Sequence, residues 1–179
     1  LAIARGEQTT SAPEAYVTHL FDQYAGRFEK SLVGDLGYRG PEVLKSLMLR
    51  TFGERQFEDA VDLGCGTGLM GSLVRDHVTR LTGVDLSSRM LKEAKKKSVY
   101  DDLIAGELVE TLTDLPFKPE LLVCADVLLY IGDVHPLFSA IRENARSGAI
   151  FAFTTEKLAD GDYALLESGR YAHSERYIE

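Results

Sequence analysis

The sequence has no tryptophan, and only two cysteines, three methionines and five prolines in 179 residues. Two cysteines far apart, Cys65 and Cys124, provide neither a disulfide framework nor a metal-ligand spacing. They fit a reduced cytoplasmic protein. No apolar run approaches the roughly 20 residues of a membrane span, and the first residues lack signal-peptide form. Positive charge is scarce: 20 Lys and Arg against 28 Asp and Glu leave a net charge of -8. That balance argues against nucleic acid and anionic membranes as partners. The basic cluster Lys92, Lys95, Lys96 and Lys97 reads as the solvated face of a helix. Repeats and low-complexity stretches are also missing. The 45% apolar and 27% charged content is that of a soluble globular chain, long enough for one domain at roughly 150 residues each.

Hydrophobic periodicity gives the element order. Ser11-Ala-Pro-Glu14 has capping-box form, and Tyr16, Val17, Leu20, Phe21 and Tyr24 follow on one helical stripe. A short helix over Arg27 to Leu36 comes next, then one opened by Gly40-Pro41 with Val43, Leu44, Leu47 and Met48 inward. The period then changes. Strands are expected at Phe57–Leu63, Leu81–Asp85, Leu103–Leu108, Glu120–Ala125 and Ala149–Thr154. Helices lie between them, at Leu69–Val78 with Leu69, Leu73 and Val74 buried, from Ser87 or Ser88 to about Lys97, and from Pro136 to Arg146. Strands alternating with helices predict an α/β fold with a parallel, doubly wound sheet. Residues 1–39 are expected to form a helical cap and residues 40–179 the core of one domain.

The stretch "AVDLGCGTGLMG", Ala60 to Gly71, holds the most chemistry. Its glycines permit positive φ and remove the Cβ atoms that would keep a ligand off the backbone. The loop leads from a strand into a helix N-terminus, where free N–H groups favour negative charge. Two cofactor classes use such a loop. From Gly66 the stretch is the dinucleotide fingerprint G-x-G-x-x-G. From Gly64 it is Asp62-x-Gly64-x-Gly66-x-Gly68, with a carboxylate at the strand exit that suits a cationic ligand end and would repel a pyrophosphate. Asp85, about 20 residues on, ends the second strand where an acid accepts two hydrogen bonds from a ribose diol. Either cofactor would use it.

Together "AVDLGCGTGLMG" and "LTGVDLSSRML" resemble the class I S-adenosylmethionine-dependent methyltransferases, over about Gly40 to Glu156. "LLVCADVLLYIGD" and "GAIFAFTTE" fit the same family. The opening "FDQYAGRFEKSLVGDLGYRGPEVL" is similar to methyltransferase domains that follow tetratricopeptide repeats in some bacterial proteins; the start at Leu1, with no Met, agrees with an upstream repeat domain. The resemblance implies S-adenosylmethionine as cofactor. It implies that Asp62 faces the methionine ammonium, that Gly64, Cys65, Gly66 and Gly68 shape the cradle, and that Asp85 holds the ribose. It also implies that Leu86 packs on the adenine, that Glu107 and Leu108 meet the adenine edge, and that Ala125 offers its carbonyl to the methionine. Tyr16, Tyr24 and Arg27 are candidates for closing over the cofactor from the cap.

Methyl transfer asks the protein mainly to hold nucleophile and methyl in line, a positioning effect of roughly 7–11 kcal/mol. A general base is needed only where the nucleophile must lose a proton. Tyr130 and His173 are the catalytic candidates, with His135, Glu156 and Tyr171 as further polar groups near that end. No metal-ligand cluster is present, and the methyl acceptor, a small molecule or a protein, has no signature. A non-catalytic module binding the same cofactor is the second reading. A nicotinamide oxidoreductase is the third, disfavoured by Asp62 and by the lack of a second catalytic domain. The tail "KLADGDYALLESGRYAHSERYIE" has turn signals at Asp160-Gly161 and Ser168-Gly169 and a helix start at Ser174. The family's Rossmann-like sheet ends in an antiparallel hairpin, so the resemblance implies a remaining sheet of order 3-2-1-4-5 in a C-terminally incomplete core, with the fifth strand as an apolar edge.

Overall fold

The computed structural model describes residues 9–29 and 37–179. Its elements are α1 (Glu14–Tyr24), α2 (Gly40–Phe52), β1 (Phe57–Leu63), α3 (Leu69–Val74), β2 (Val78–Asp85), α4 (Ser88–Lys96), β3 (Asp102–Ala105), α5 (Leu108–Asp114), β4 (Leu121–Cys124), α6 (His135–Asn144), β5 (Ile150–Phe153), β6 (Glu156–Lys157), β7 (Tyr163–Leu165), β8 (Tyr171–His173) and α7 (Glu175–Ile178). Short 3-10 turns follow α1 and α3 and cover Leu128–Tyr130.

The first five strands form one parallel sheet in the order β3-β2-β1-β4-β5. Because strand side chains alternate between faces, each strand feeds two layers. Val61, Leu63, Leu122 and Cys124 pack with Leu112 of α5 and Leu137 and Ile141 of α6. Ala60, Leu121 and Val123 pack with Leu44 and Met48 of α2 and Met70 and Val74 of α3. β1 and β4 are covered on both sides, which is why they read as near-continuous apolar runs. β3 and β5 are the two edges of this sheet among the described residues. The tail forms a separate sheet of order β6-β8-β7, with Gly161 and Gly169 at positive φ in its turns. Ser174 caps α7 by accepting from the Tyr177 N–H. No helix among the described residues is long and apolar enough to cross a membrane.

Several local expectations are corrected. The third strand stops at Ala105, because the Glu107 carboxylate accepts the Val109 and Glu110 N–H groups and so starts α5, which contains Leu108. α3 stops at Val74, and Val78 already belongs to β2. Its buried residues are Met70, Gly71 and Val74, with Leu69 and Leu73 half-buried. β2 and α6 each differ from the expected bounds by a few residues. Val43 and Leu47 of α2 point outward, so only half of the expected apolar set faces the sheet.

Ser11 does not cap α1, whose N-cap is Pro13 without a side-chain bond. Ser11 instead pairs antiparallel with Ile131. Thr10 O accepts the Gly132 and Asp133 N–H groups and Tyr130 O accepts the Ala12 N–H, each at 2.8 Å. Backbone bonding of a short strap to a loop won over local capping. The expected helix from Arg27 to Leu36 falls largely outside the described residues.

Candidate functional site

Beyond the carboxyl ends of β1, β2 and β4 lies a cavity of about 380 Å³. The glycine loop forms its floor. Gly64 and Gly66 have φ of 70° and 53°. A Cβ on Gly64 would meet Val127 Cγ2 at 2.2 Å, so this glycine permits close packing of the loop on the segment after β4. A Cβ on Gly66 would meet nothing within 4 Å. Gly66 is therefore bare backbone at positive φ facing open cavity, as a cradle for a closely approaching ligand requires. Gly68 is not in the lining; with φ of 85° it is the left-handed N-cap of α3.

Two carboxylates frame the loop. Asp85 Oδ2 accepts the Gly66 N–H and Oδ1 accepts the Ser87 N–H, both at 2.8 Å, and burial raises its pKa. Each oxygen keeps a lone pair for a further donor. Asp62 lies at the end of β1, between Gly83 and Val123, and is 1% exposed. Desolvation pushes its carboxyl up to about 7, opposed by a 2.6 Å hydrogen bond from the Tyr100 hydroxyl. Such a group gains by meeting a cation, which restores the charged form.

Asp62, Gly64, Cys65, Gly66, Asp85, Leu86, Glu107, Leu108, Ala125 and Tyr130 all line the cavity. The Cys65 thiol is buried and its pKa raised by desolvation, so its backbone is the available part. Tyr130 packs edge-on to Phe21 with ring centroids 5.4 Å apart, and burial raises its pKa and keeps it protonated. Tyr16, Tyr24 and Arg27 are not in the lining; all three are exposed, and α1 turns Val17 and Phe21 inward instead. The helical period places the smaller residues of the stripe inside.

His173 lies outside the cavity. Its Nδ1 is 2.6 Å from the Thr155 hydroxyl, and its Nε2 donates to the carbonyls of Ile131 and Gly132 at 2.9 and 3.0 Å. Both ring nitrogens are occupied and burial lowers its pKa. The ring pins β8 to the loop that carries Tyr130, so its place is structural. Tyr171 bonds to Thr9 from the same sheet, Glu156 pairs with Arg170, and exposed His135 pairs with Asp133.

Three polar residues at the site carry no clear signal in the sequence: Tyr38, Asp126 and Tyr100. Asp126 stands in the cavity wall at φ of 58°, a strained conformation for a residue with a side chain. The Thr154 hydroxyl donates to its carboxylate and accepts its N–H, both at 2.8 Å. Tyr38 lies beside Asp126 in the cavity wall, and burial together with that neighbouring carboxylate raises the phenol's pKa. Among the described residues no group of three or more His, Cys, Asp or Glu could hold a metal ion.

A parallel 3-2-1-4-5 sheet with a glycine loop and an acid at the end of each of the first two strands defines a nucleoside-cofactor enzyme domain, and similarity to known proteins narrows it. The profile of a methyltransferase domain family matches residues 61–153, just over half the chain. The chain belongs to that family. It is 27% identical, over 147 residues, to the malonyl-[acyl-carrier protein] O-methyltransferase of Hamiltonella defensa, covering 81% of this chain and 54% of that protein. The chain spans about half the length of the first curated relatives it matches. Among solved structures, a complex of DhpI with SAH superposes with a TM-score of 0.68 at 16% identity, over 90% of this chain and 81% of that one. The N-methyltransferase NodS of Bradyrhizobium japonicum with S-adenosyl-L-homocysteine gives 0.56 at 19% identity, over 77% and 69%. The fold is that of S-adenosylmethionine-dependent methyltransferases.

Proposed function

We propose that this domain transfers the methyl group of S-adenosylmethionine to a neutral or cationic acceptor, with an amine as the leading class. The bare Gly66 backbone, the open lone pairs of Asp85 and the buried acid Asp62 fit that cofactor. Asp62 would meet its ammonium, Asp85 its ribose, and Glu107, Leu86 and Leu108 its adenine side. Glu107 would do so with a carboxylate that also caps α5. Ala125 would contribute its carbonyl. When bound, the cofactor supplies a methyl group already activated on a sulfonium; this chain positions and desolvates.

One observation carries the acceptor class. Among the described residues the cavity lining includes six carboxylates, Glu14, Asp62, Asp85, Glu107, Asp126 and Asp133, and no Lys, Arg or His. A carboxylate or phosphonate acceptor would enter that field unpaired, at a cost of several kcal/mol once desolvated. An amine would be attracted. Asp126 is then the group to orient the amine and take its proton, with Thr154 holding the carboxylate and Tyr38 beside it; Tyr130 walls the pocket. The two buried free thiols support a reducing, cytoplasmic setting. Kinship to the repeat-associated methyltransferases rests on the sequence around Phe21 to Leu44.

The test compares phenethylamine, phenethyl alcohol and phenylacetate as acceptors, measuring release of S-adenosylhomocysteine, with binding of that product followed in parallel. Turnover with the amine, weakened by Asp126→Asn mainly in KM, is expected. Turnover confined to the carboxylate would refute the acceptor class. Product binding without any turnover would favour the non-catalytic reading.

A further inference from the structure

Four of the glycines near the loop have different jobs. Gly66 faces open cavity. Gly68, Gly71 and Gly83 face the Tyr100 ring: a Cβ at these positions would meet Tyr100 at 3.0, 2.2 and 2.9 Å. Gly71 is the informative one. It sits inside α3, in ordinary helical backbone, where glycine costs about 1 kcal/mol against alanine. No turn or left-handed φ requires it. What requires it is the Tyr100 hydroxyl, which a Cβ there would strike at 2.2 Å. That hydroxyl donates to Asp62 Oδ2 at 2.6 Å. The Gly71 N–H, in the first turn of α3, lies near the same carboxylate and favours its charged form.

We propose that Tyr100 is a positioning residue, whose hydroxyl clamps the Asp62 carboxylate toward the cationic end of the cofactor, and that Gly68, Gly71 and Gly83 keep the space its ring needs. The inference rests on the cofactor reading above. The groups facing Asp62 are few. Tyr100 approaches from the segment between α4 and β3, Asp85 from β2, Cys65 from the loop and Cys124 from β4. Lys97, which packs beside Gly68, is paired with Glu29 at 2.7 Å. Among the described residues every facing side chain is thus neutral or acidic, and only Tyr100 among those side chains donates to Asp62. Without that hydroxyl the carboxylate loses a partner while its desolvation and the Asp85 repulsion remain.

A charge-assisted hydrogen bond of this kind moves a carboxyl's titration by about one to two pH units. Tyr100→Phe keeps the ring in its glycine slot and removes only the donor. Gly71→Ala keeps the donor and displaces it with a methyl group. The experiment measures the dissociation constant of S-adenosylhomocysteine by calorimetry between pH 6 and 8.5, with circular dichroism to confirm folding. The wild type should lose affinity as the pH falls through about 7, where Asp62 takes up a proton. Both variants should move that midpoint upward, weakening binding at pH 7 by about tenfold and recovering at the alkaline end. A merely structural role would lower affinity by one factor at every pH. Such a parallel offset, or variant profiles that superimpose on the wild type, overturns the inference. Should Tyr100→Phe fail to fold, the pH profile of Gly71→Ala decides the question in the same way. A wild type that binds no S-adenosylhomocysteine at any pH refutes the cofactor reading instead, and this inference with it.

Discussion

Asp62→Asn should make the ligand-free protein more stable at neutral pH and less able to bind its cofactor. Raising a carboxyl from its ordinary 3.8 to about 7 corresponds to about 4 kcal/mol, at about 1.4 kcal/mol per pH unit. The sign follows from linkage. The folded state holds this proton more tightly than the unfolded chain, so the group's contribution is complete below pH 3.8 and is lost as the pH rises to about 7. Asparagine has no such loss, and its carbonyl can still accept from Tyr100. Its second amide hydrogen lacks an evident partner, which offsets about half the gain. A net gain of about 2 kcal/mol remains, or about 4–8 °C in Tm for a chain of this length. Thermal unfolding of both proteins from pH 4.5 to 8 checks it: the gap should open steadily with pH. Equal Tm values at pH 8, or a gap independent of pH, would refute the reasoning. S-adenosylhomocysteine should stabilise the wild type and barely stabilise the variant.

Asp85→Ala removes the acceptor proposed for two ribose hydroxyls, at roughly 1.5–3 kcal/mol each. Affinity for S-adenosylhomocysteine, measured by calorimetry, should fall at least about tenfold; an unchanged dissociation constant would sink the assignment. The same change strands the Gly66 and Ser87 N–H groups, so some loss of stability should accompany it. His173→Ala should lower stability by about 2–4 kcal/mol, through a cavity and through lost bonds to Thr155, Ile131 and Gly132, while cofactor affinity holds. Because the folded state depresses the pKa of His173, its stabilisation is present above about pH 6.5 and is lost as the pH falls below the unfolded value. Urea titrations at pH 5 and 8 would show the variant's deficit shrinking in acid.

Much of the fold is legible along the chain because its signals are local. Alternation of apolar runs with helical stripes yields the five core strands and their parallel pairing, since parallel strands need crossovers; their order follows from the family resemblance. Asp62, the loop glycines and Asp85 are legible because loop and acid lie on consecutive elements at fixed spacing. Element ends are less so. Glu107 could extend a strand or cap a helix, and only its bonds to Val109 and Glu110 decide between them. His173 reads as catalytic because histidine in a polar segment usually serves chemistry or solvent; its burial beneath the Tyr130 loop depends on how β8 packs. Gly71 is a usable signal that the motif around it hides: a glycine inside a helix pattern implies a close neighbour.

The sheet, the loop and the two acids at its rim are encoded in the order of residues alone, because each depends on backbone geometry and residue types a few positions apart. What stands around them is set by tertiary packing. Asp126, Tyr38 and Thr154 come from the end of β4, the entry to α2 and the end of β5. They meet because the sheet brings those segments together, and no periodicity in the chain encodes that meeting. The same holds for Tyr100 beneath the glycines and for the strap at residues 9–12 closing the cavity against Ile131. Long-range contacts are set by the packing of whole elements, so the half of the site proposed for the cofactor could be read along the chain and the half proposed for the acceptor had to be folded first.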